Sequence, residues 1–93
     1  MTEPVFVLCY DVARDRIRRR VAERLEREML RVQGSVFEAR LKPSRASAIF
    51  DEVAAMGEDG DKFRLYGLDK QSEEWAQVSG GVPFPEDTGF WLL

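Results

Sequence analysis

The chain has 93 residues, 44% apolar and 33% charged, which suits one folded domain with a modest core and not a disordered tail. It has no His, which excludes a Ser-His-Asp triad, a Cys-His dyad and a His-ligated metal. A lone Cys9 excludes an internal disulfide or zinc cluster, and the net charge of −3 excludes a uniformly basic surface.

Val5 to Tyr10 is an unbroken run of β-forming residues between Pro4 and Asp11, the pattern of a strand buried on both faces. It is also the longest apolar run, far too short to span a bilayer. Met1-Thr2-Glu3-Pro4 lacks the basic-then-apolar layout of a signal peptide, so the expectation is a cytoplasmic protein with no membrane partner. Asp15 can cap a helix whose apolar positions, Ile17, Val21, Leu25 and Met29, are spaced by four, with Ala22 beside them. Arginine is concentrated here: Arg14 to Arg31 carries eight Arg against four acids, a local +4 that leaves −7 on the remainder. On a wheel of ~100° per residue, Arg16, Arg20, Arg24 and Arg27 share the stripe away from the core, with Arg24 nearest its edge. For Arg24 and Arg27 the expectation is a solvated face with Arg19–Glu23 and Glu23–Arg27 pairs. Arg18 falls on the side of Ile17, Val21 and Leu25, from which it either reaches the Asp11 rim or snorkels.

Arg31 to Leu41 is strand-like, with Phe37, Ala39 and Leu41 on one face and Val36, Glu38 and Arg40 on the other. Gly34-Ser35 divides it at a sharp turn. A second helix follows Pro43-Ser44, buries Ala46, Ile49, Phe50, Val53 and Ala54, and is ended by Gly57. Glu58-Asp59-Gly60-Asp61 is an acidic loop, and Lys62 to Leu68 is a strand with Phe63 and Leu65 alternating against Arg64 and Tyr66. The order β-α-β-β-α-β gives an α+β, ferredoxin-like fold, two helices on one face of an antiparallel sheet. We assign a single domain over residues 1–93, with a core at about 5–68 and a tail at about 69–93. The first strand is apolar on both sides while the helices cover one, so a second copy of the chain, a homodimer, is the economical cover. In the tail, Glu73 to Val78 is a strand candidate and Ser79-Gly80-Gly81 a link. Trp75, Trp91 and the apolar end Phe90 to Leu93 are docking or packing residues.

Asp11 is the first candidate for chemistry. It closes a buried strand ahead of an arginine-rich helix, and magnesium takes only one or two protein carboxylates while keeping several waters. Two Asp11 side chains meeting across a dimer axis would hold Mg2+ (or Mn2+), activate a water and stabilise in-line displacement at a phosphate. The alternative is that Asp11 caps its loop or pairs with an Arg. Arg18 and Arg31 are candidates for phosphate contacts that hold RNA or DNA without reading sequence. Tyr10 suits either core or site. Phe37 reads more readily as core than as a base-stacking platform, since the paired aromatics of an RNA-recognition motif are not evident.

Tyr10-Asp11-Val12, Asp15, Arg18, Arg20-Val21-Ala22, Leu25 and the run Arg31-Val32-Gln33-Gly34-Ser35-Val36-Phe37-Glu38 resemble the Cas-two family. This is the small CRISPR-associated subunit that works beside the Cas-one integrase. The resemblance runs from about Val5 to Leu68. It implies a ferredoxin-like homodimer whose C-terminal strands pack on the opposite protomer, with metal-dependent cleavage of RNA or DNA centred on Asp11. It also implies that Tyr10, Arg18, Arg20, Arg31, Ser35 and Phe37 form the nucleic-acid-binding region. Two departures concern the bend: Met29-Leu30 stands where the family often has Tyr-Gly, and Gly34 where it has a bulky residue. A second reading is a structural adaptor that bridges Cas-one dimers and holds DNA without cutting. A third is a regulatory dimer with no nucleic-acid role.

Overall fold

A computed structural model describes residues 3–68 and the backbone of 77–79. The elements follow in the expected order: β1 Val5–Asp11, α1 Asp15–Leu25, β2 Leu30–Gln33, β3 Val36–Arg40, α2 Pro43–Ala54, β4 Lys62–Gly67 and β5 Gln77–Ser79. They form one antiparallel sheet in the spatial order β2-β3-β1-β4-β5. The first four strands and two helices make the ferredoxin-like arrangement. Among the described residues, no helix is long and apolar enough to cross a membrane.

The most apolar segment takes the centre. β1 is paired on both sides, Leu8 facing Phe37 of β3 and Leu65 of β4. Alternation sends Phe6, Leu8 and Tyr10 to the helix side, where they join Val21, Leu25, Ile49 and Val53 in the main core. Val7 and Cys9 go to the other side and form a small buried cluster with Val36. That explains the unbroken apolar run: both faces of β1 are buried in the single chain, so the second face does not by itself call for a second copy to cover it.

β2 and β3 are joined by a two-residue turn, with Gln33 paired to Val36. Gly34 has φ +33°, the left-handed backbone that two-residue hairpin turns require and that Gly adopts without a Cβ penalty. The register shifts between Arg31 and Gln33, a bulge at Val32.

Four local expectations need correction. Asp15 is not a cap: Arg14 is the extended residue before α1, and Asp15 lies in the first turn, where its carboxylate pairs with Arg18. α1 stops at Leu25, yet Met29 remains buried because its N–H returns to the Leu25 carbonyl at 2.8 Å. Gly57 does not stand in the left-handed region that a glycine helix terminus uses. A Cβ there would lie 2.7 Å from Phe63 Cε1, so this glycine is a close-approach residue. Arg24 is not solvated. It is 8% exposed and lies between Glu28 (3.1 Å) and Glu52 of α2 (2.9 Å), with Arg45 also on Glu28 (2.5 Å). The wheel placed Arg24 at the edge of its stripe, and α2 packs over that edge. The Arg19–Glu23 and Glu23–Arg27 pairs do not form among the described residues.

β5 begins at Gln77, inside the strand expected from Glu73 to Val78, and includes Ser79, which was expected in the link. Trp75, Gly80-Gly81 and Phe90 to Leu93 lie outside the described residues.

Candidate active site at the end of the central strand

Asp11 is the last residue of β1, exposed, and in register with Lys62 of β4. Cross-strand partners share a face, so the cation that register places beside Asp11 is Lys62, not an arginine of α1. The Asp11 carboxylate has no hydrogen bond or ion pair among the described residues. One step earlier, Tyr10 falls on the opposite face, between the rings of Phe37 and Phe63 with both centroids at 6.2 Å. The pleat therefore puts neighbouring candidates on different sides of the sheet.

The loop after Asp11 is held from two directions. Arg18 Nη1 donates to the carbonyls of Val12 (2.9 Å) and Ala13 (3.2 Å), while Nη2 meets the carboxylate of Asp15. From the other side, buried Asp61 accepts the N–H of Ala13 at Oδ1 (3.2 Å) and that of Glu58 at Oδ2 (2.8 Å). Arg14 Nε pairs with Glu58 at 3.1 Å across the same junction. Arg18 thus reaches the Asp11 rim, as its place on α1 allowed, and spends its donors on backbone there.

On the helix side, Tyr10, Arg18, Arg31 and Ser35 line a groove of about 650 Å³ between α1 and the β2–β3 turn. Tyr10 N–H donates to the Ser35 carbonyl at 3.2 Å, which ties that turn to β1. Arg31 lies over the Phe37 ring, 5.2 Å from its centroid, and pairs with Glu26 at 3.6 Å. Burial raises the Tyr10 hydroxyl above its ordinary pKa, a shift partly offset by the Arg31 guanidinium, so Tyr10 is a neutral donor near pH 7. The groove is not a basic channel: Arg18, Arg19 and Arg31 face Asp15, Glu23 and Glu26 along its walls.

Of the expected site residues, the groove gathers Tyr10, Arg18, Arg31 and Ser35 and leaves out Asp11 and Arg20. Arg20 is exposed on α1 with no ion pair among the described residues. Phe37 is fully buried, so it offers no face to a base and reaches the groove only by carrying Arg31. Cys9 is no nucleophile: burial pushes its thiol up to about 11 despite nearby Arg64, which keeps it protonated at neutral pH. Sequence reasoning missed Asp61 and Lys62. Asp61 was one acid among several in a loop, and Lys62 acquires meaning only from the β1–β4 register.

No three of the His, Cys, Asp and Glu side chains converge among the described residues, so one chain makes no cage. A single exposed carboxylate without an internal partner fits Mg2+ or Mn2+ as one ligand, the remaining positions being left to water, substrate or a second copy.

Comparison with known proteins finds relatives of the whole fold. Residues 4–75 match the family model described as CRISPR associated protein Cas2. A CRISPR-associated endoribonuclease Cas2 of Synechocystis sp. is 32% identical over 90 residues, covering 95% of this chain and 97% of that protein. One of Methanospirillum hungatei is 37% identical over 62 residues, covering 67% and 70% respectively. Among solved structures, a hypothetical protein of Thermus thermophilus superposes with a TM-score of 0.66 at 27% identity, over 89% of this chain and 98% of that one. A chain of a partial Cas6-RT-Cas1–Cas2 complex does so at 0.60 and 28%, over 91% and 92%.

Proposed function

Because the chain belongs to the CRISPR-associated protein Cas2 family, we propose that it is a metal-dependent nuclease that cleaves phosphodiester bonds of RNA or DNA during CRISPR adaptation. One observation carries this reading: Asp11 ends a buried strand as an exposed carboxylate with no partner among the described residues. In a homodimer, Asp11 of each copy holds the ion. When bound, Mg2+ or Mn2+ supplies charge neutralisation at the phosphate and a more acidic water. The chain's own residues do the rest. Arg31, steadied on Phe37 and Glu26, and Tyr10, held neutral as a donor, present hydrogen bonds along the groove. Ser35 adds a hydroxyl at the turn. Arg18, held at the loop after the strand end, and Arg20, exposed on α1, are the further cations for phosphates bound without reading sequence.

A second reading is an adaptor that joins Cas1 dimers and holds DNA without cutting. A Cas1–Cas2 complex among the similar solved structures supports the same partner.

The test is cleavage of labelled single-stranded RNA and duplex DNA by wild-type protein with Mg2+, Mn2+ or EDTA. The proposal predicts cutting that EDTA abolishes. Equal cutting in EDTA overturns the metal dependence. No cutting by a folded protein that binds nucleic acid overturns catalysis and leaves the adaptor. Titration of binding against salt then separates both from a regulatory dimer, because phosphate contacts make affinity fall steeply as salt rises.

A further inference from the structure

We infer that Asp61 is a positioning residue for Asp11: its carboxylate grips the loop two residues beyond Asp11 and fixes how the strand end leaves the sheet. This inference rests on Asp11 being the metal-binding carboxylate.

Asp61 sits in a four-residue turn that closes on itself, its N–H donating to the Glu58 carbonyl at 2.9 Å and its Oδ2 accepting the Glu58 N–H at 2.8 Å. With the turn fixed, Oδ1 is free to accept the Ala13 N–H at 3.2 Å. The side chain is 7% exposed, so water competes little for these bonds. Two N–H donors converge on one side chain, and only a carboxylate has an acceptor on both arms. An amide in its place presents its NH2 group to one of the two donors.

The chain geometry then transmits the constraint. Asp61 immediately precedes Lys62, the register partner of Asp11, so Asp61 ties the β1 exit to the β4 entrance on either side of that pair. Arg18 holds the carbonyls of Val12 and Ala13 from the helix side. Asp61 supplies the opposing hold on the N–H of the same loop, so removing it leaves the loop backbone fastened from the helix side only, with the exposed Arg14–Glu58 pair as the one remaining link across the junction among the described residues.

The experiment compares wild type, Asp61→Asn and, as control, Asp59→Asn as 15N-labelled full-length protein. Three quantities are read: hydrogen exchange at the Ala13 amide, Mn2+-induced broadening at Asp11, and kcat and KM for cleavage. Asp61→Asn is expected to speed Ala13 exchange about tenfold, with the Leu8 amide unchanged as proof of fold. It should also raise the Mn2+ midpoint about tenfold and lower kcat comparably, with KM within about twofold. Asp59→Asn should match wild type in all three. Unchanged Ala13 protection overturns the inference, as does faster exchange with a wild-type Mn2+ midpoint. If Leu8 also loses protection, Asp61→Glu, which keeps the charge but displaces the oxygens by one methylene, makes the same comparison. A wild type that neither takes Mn2+ at Asp11 nor cuts overturns the functional reading alone, and Ala13 exchange still decides whether Asp61 holds the loop.

Discussion

Replacing Gly57 by Ala sets two physical effects against each other. A Gly that needs no positive φ gains about 0.4–1 kcal/mol of stability on becoming Ala, because the unfolded chain loses freedom. Here the added methyl would stand 2.7 Å from Cε1 and 3.1 Å from Cζ of Phe63, and 3.3 Å from the Asp61 Cβ. Phe63 is 2% exposed and packs on Tyr10, so its ring has no solvent to move into. Overpacking of this kind costs about 1–3 kcal/mol, which outweighs the entropic gain. A net loss of about 1 kcal/mol lowers the Tm of a domain this size by about 4–8 °C. Urea and thermal unfolding followed by circular dichroism, at one fixed protein concentration so that assembly does not shift the midpoint, would measure it. A variant as stable as wild type, or more stable, refutes the close-approach reasoning and returns Gly57 to an ordinary helix terminus.

Two further predictions concern titrating groups. Glu28 is held below its ordinary 4.5 chiefly by Arg45, and Glu52 chiefly by Arg24. Folded values below unfolded ones mean stabilisation present above about pH 4.5 and lost as pH falls through the folded values. Arg24→Met should therefore show a smaller fall in Tm between about pH 6 and about pH 3 than wild type, and equal falls would contradict the ion-pair network around Arg24. The Cys9 thiol, raised to about 11, should resist alkylation at neutral pH until the protein unfolds, and rapid labelling of native protein would show that β1 is not sealed.

The order of elements was legible because each carries a period that survives without tertiary information. α2 shows its buried stripe, and the two-sided apolar run of β1 announces a central strand. What was not legible depends on a partner elsewhere in the chain. Arg24 lies at the edge of its wheel stripe, and only the placement of Glu52 on α2 makes that edge interior. The position of Gly57 was visible but its reason was not, since the crowding comes from Phe63, six residues later. In the candidate site, the prominence of Asp11 came from local pattern alone. That Tyr10 and Asp11 occupy opposite faces follows from strand alternation, and it divides a cluster that had looked continuous along the sequence. Asp61 is the clearest omission: nothing local distinguishes it from Asp59, and its role depends on an N–H 48 residues away.

The measurement that bears most directly on the account is cleavage of labelled RNA and DNA by Asp11→Asn beside wild type, prepared identically, with Mg2+ present. Asn keeps the shape of the side chain and removes the charge that would hold the ion. The account predicts a folded, nucleic-acid-binding variant whose cutting is reduced by at least about a hundredfold, in line with loss of a group central to transition-state stabilisation. Cutting at the wild-type rate by Asp11→Asn would contradict it and remove Asp11 from the chemistry.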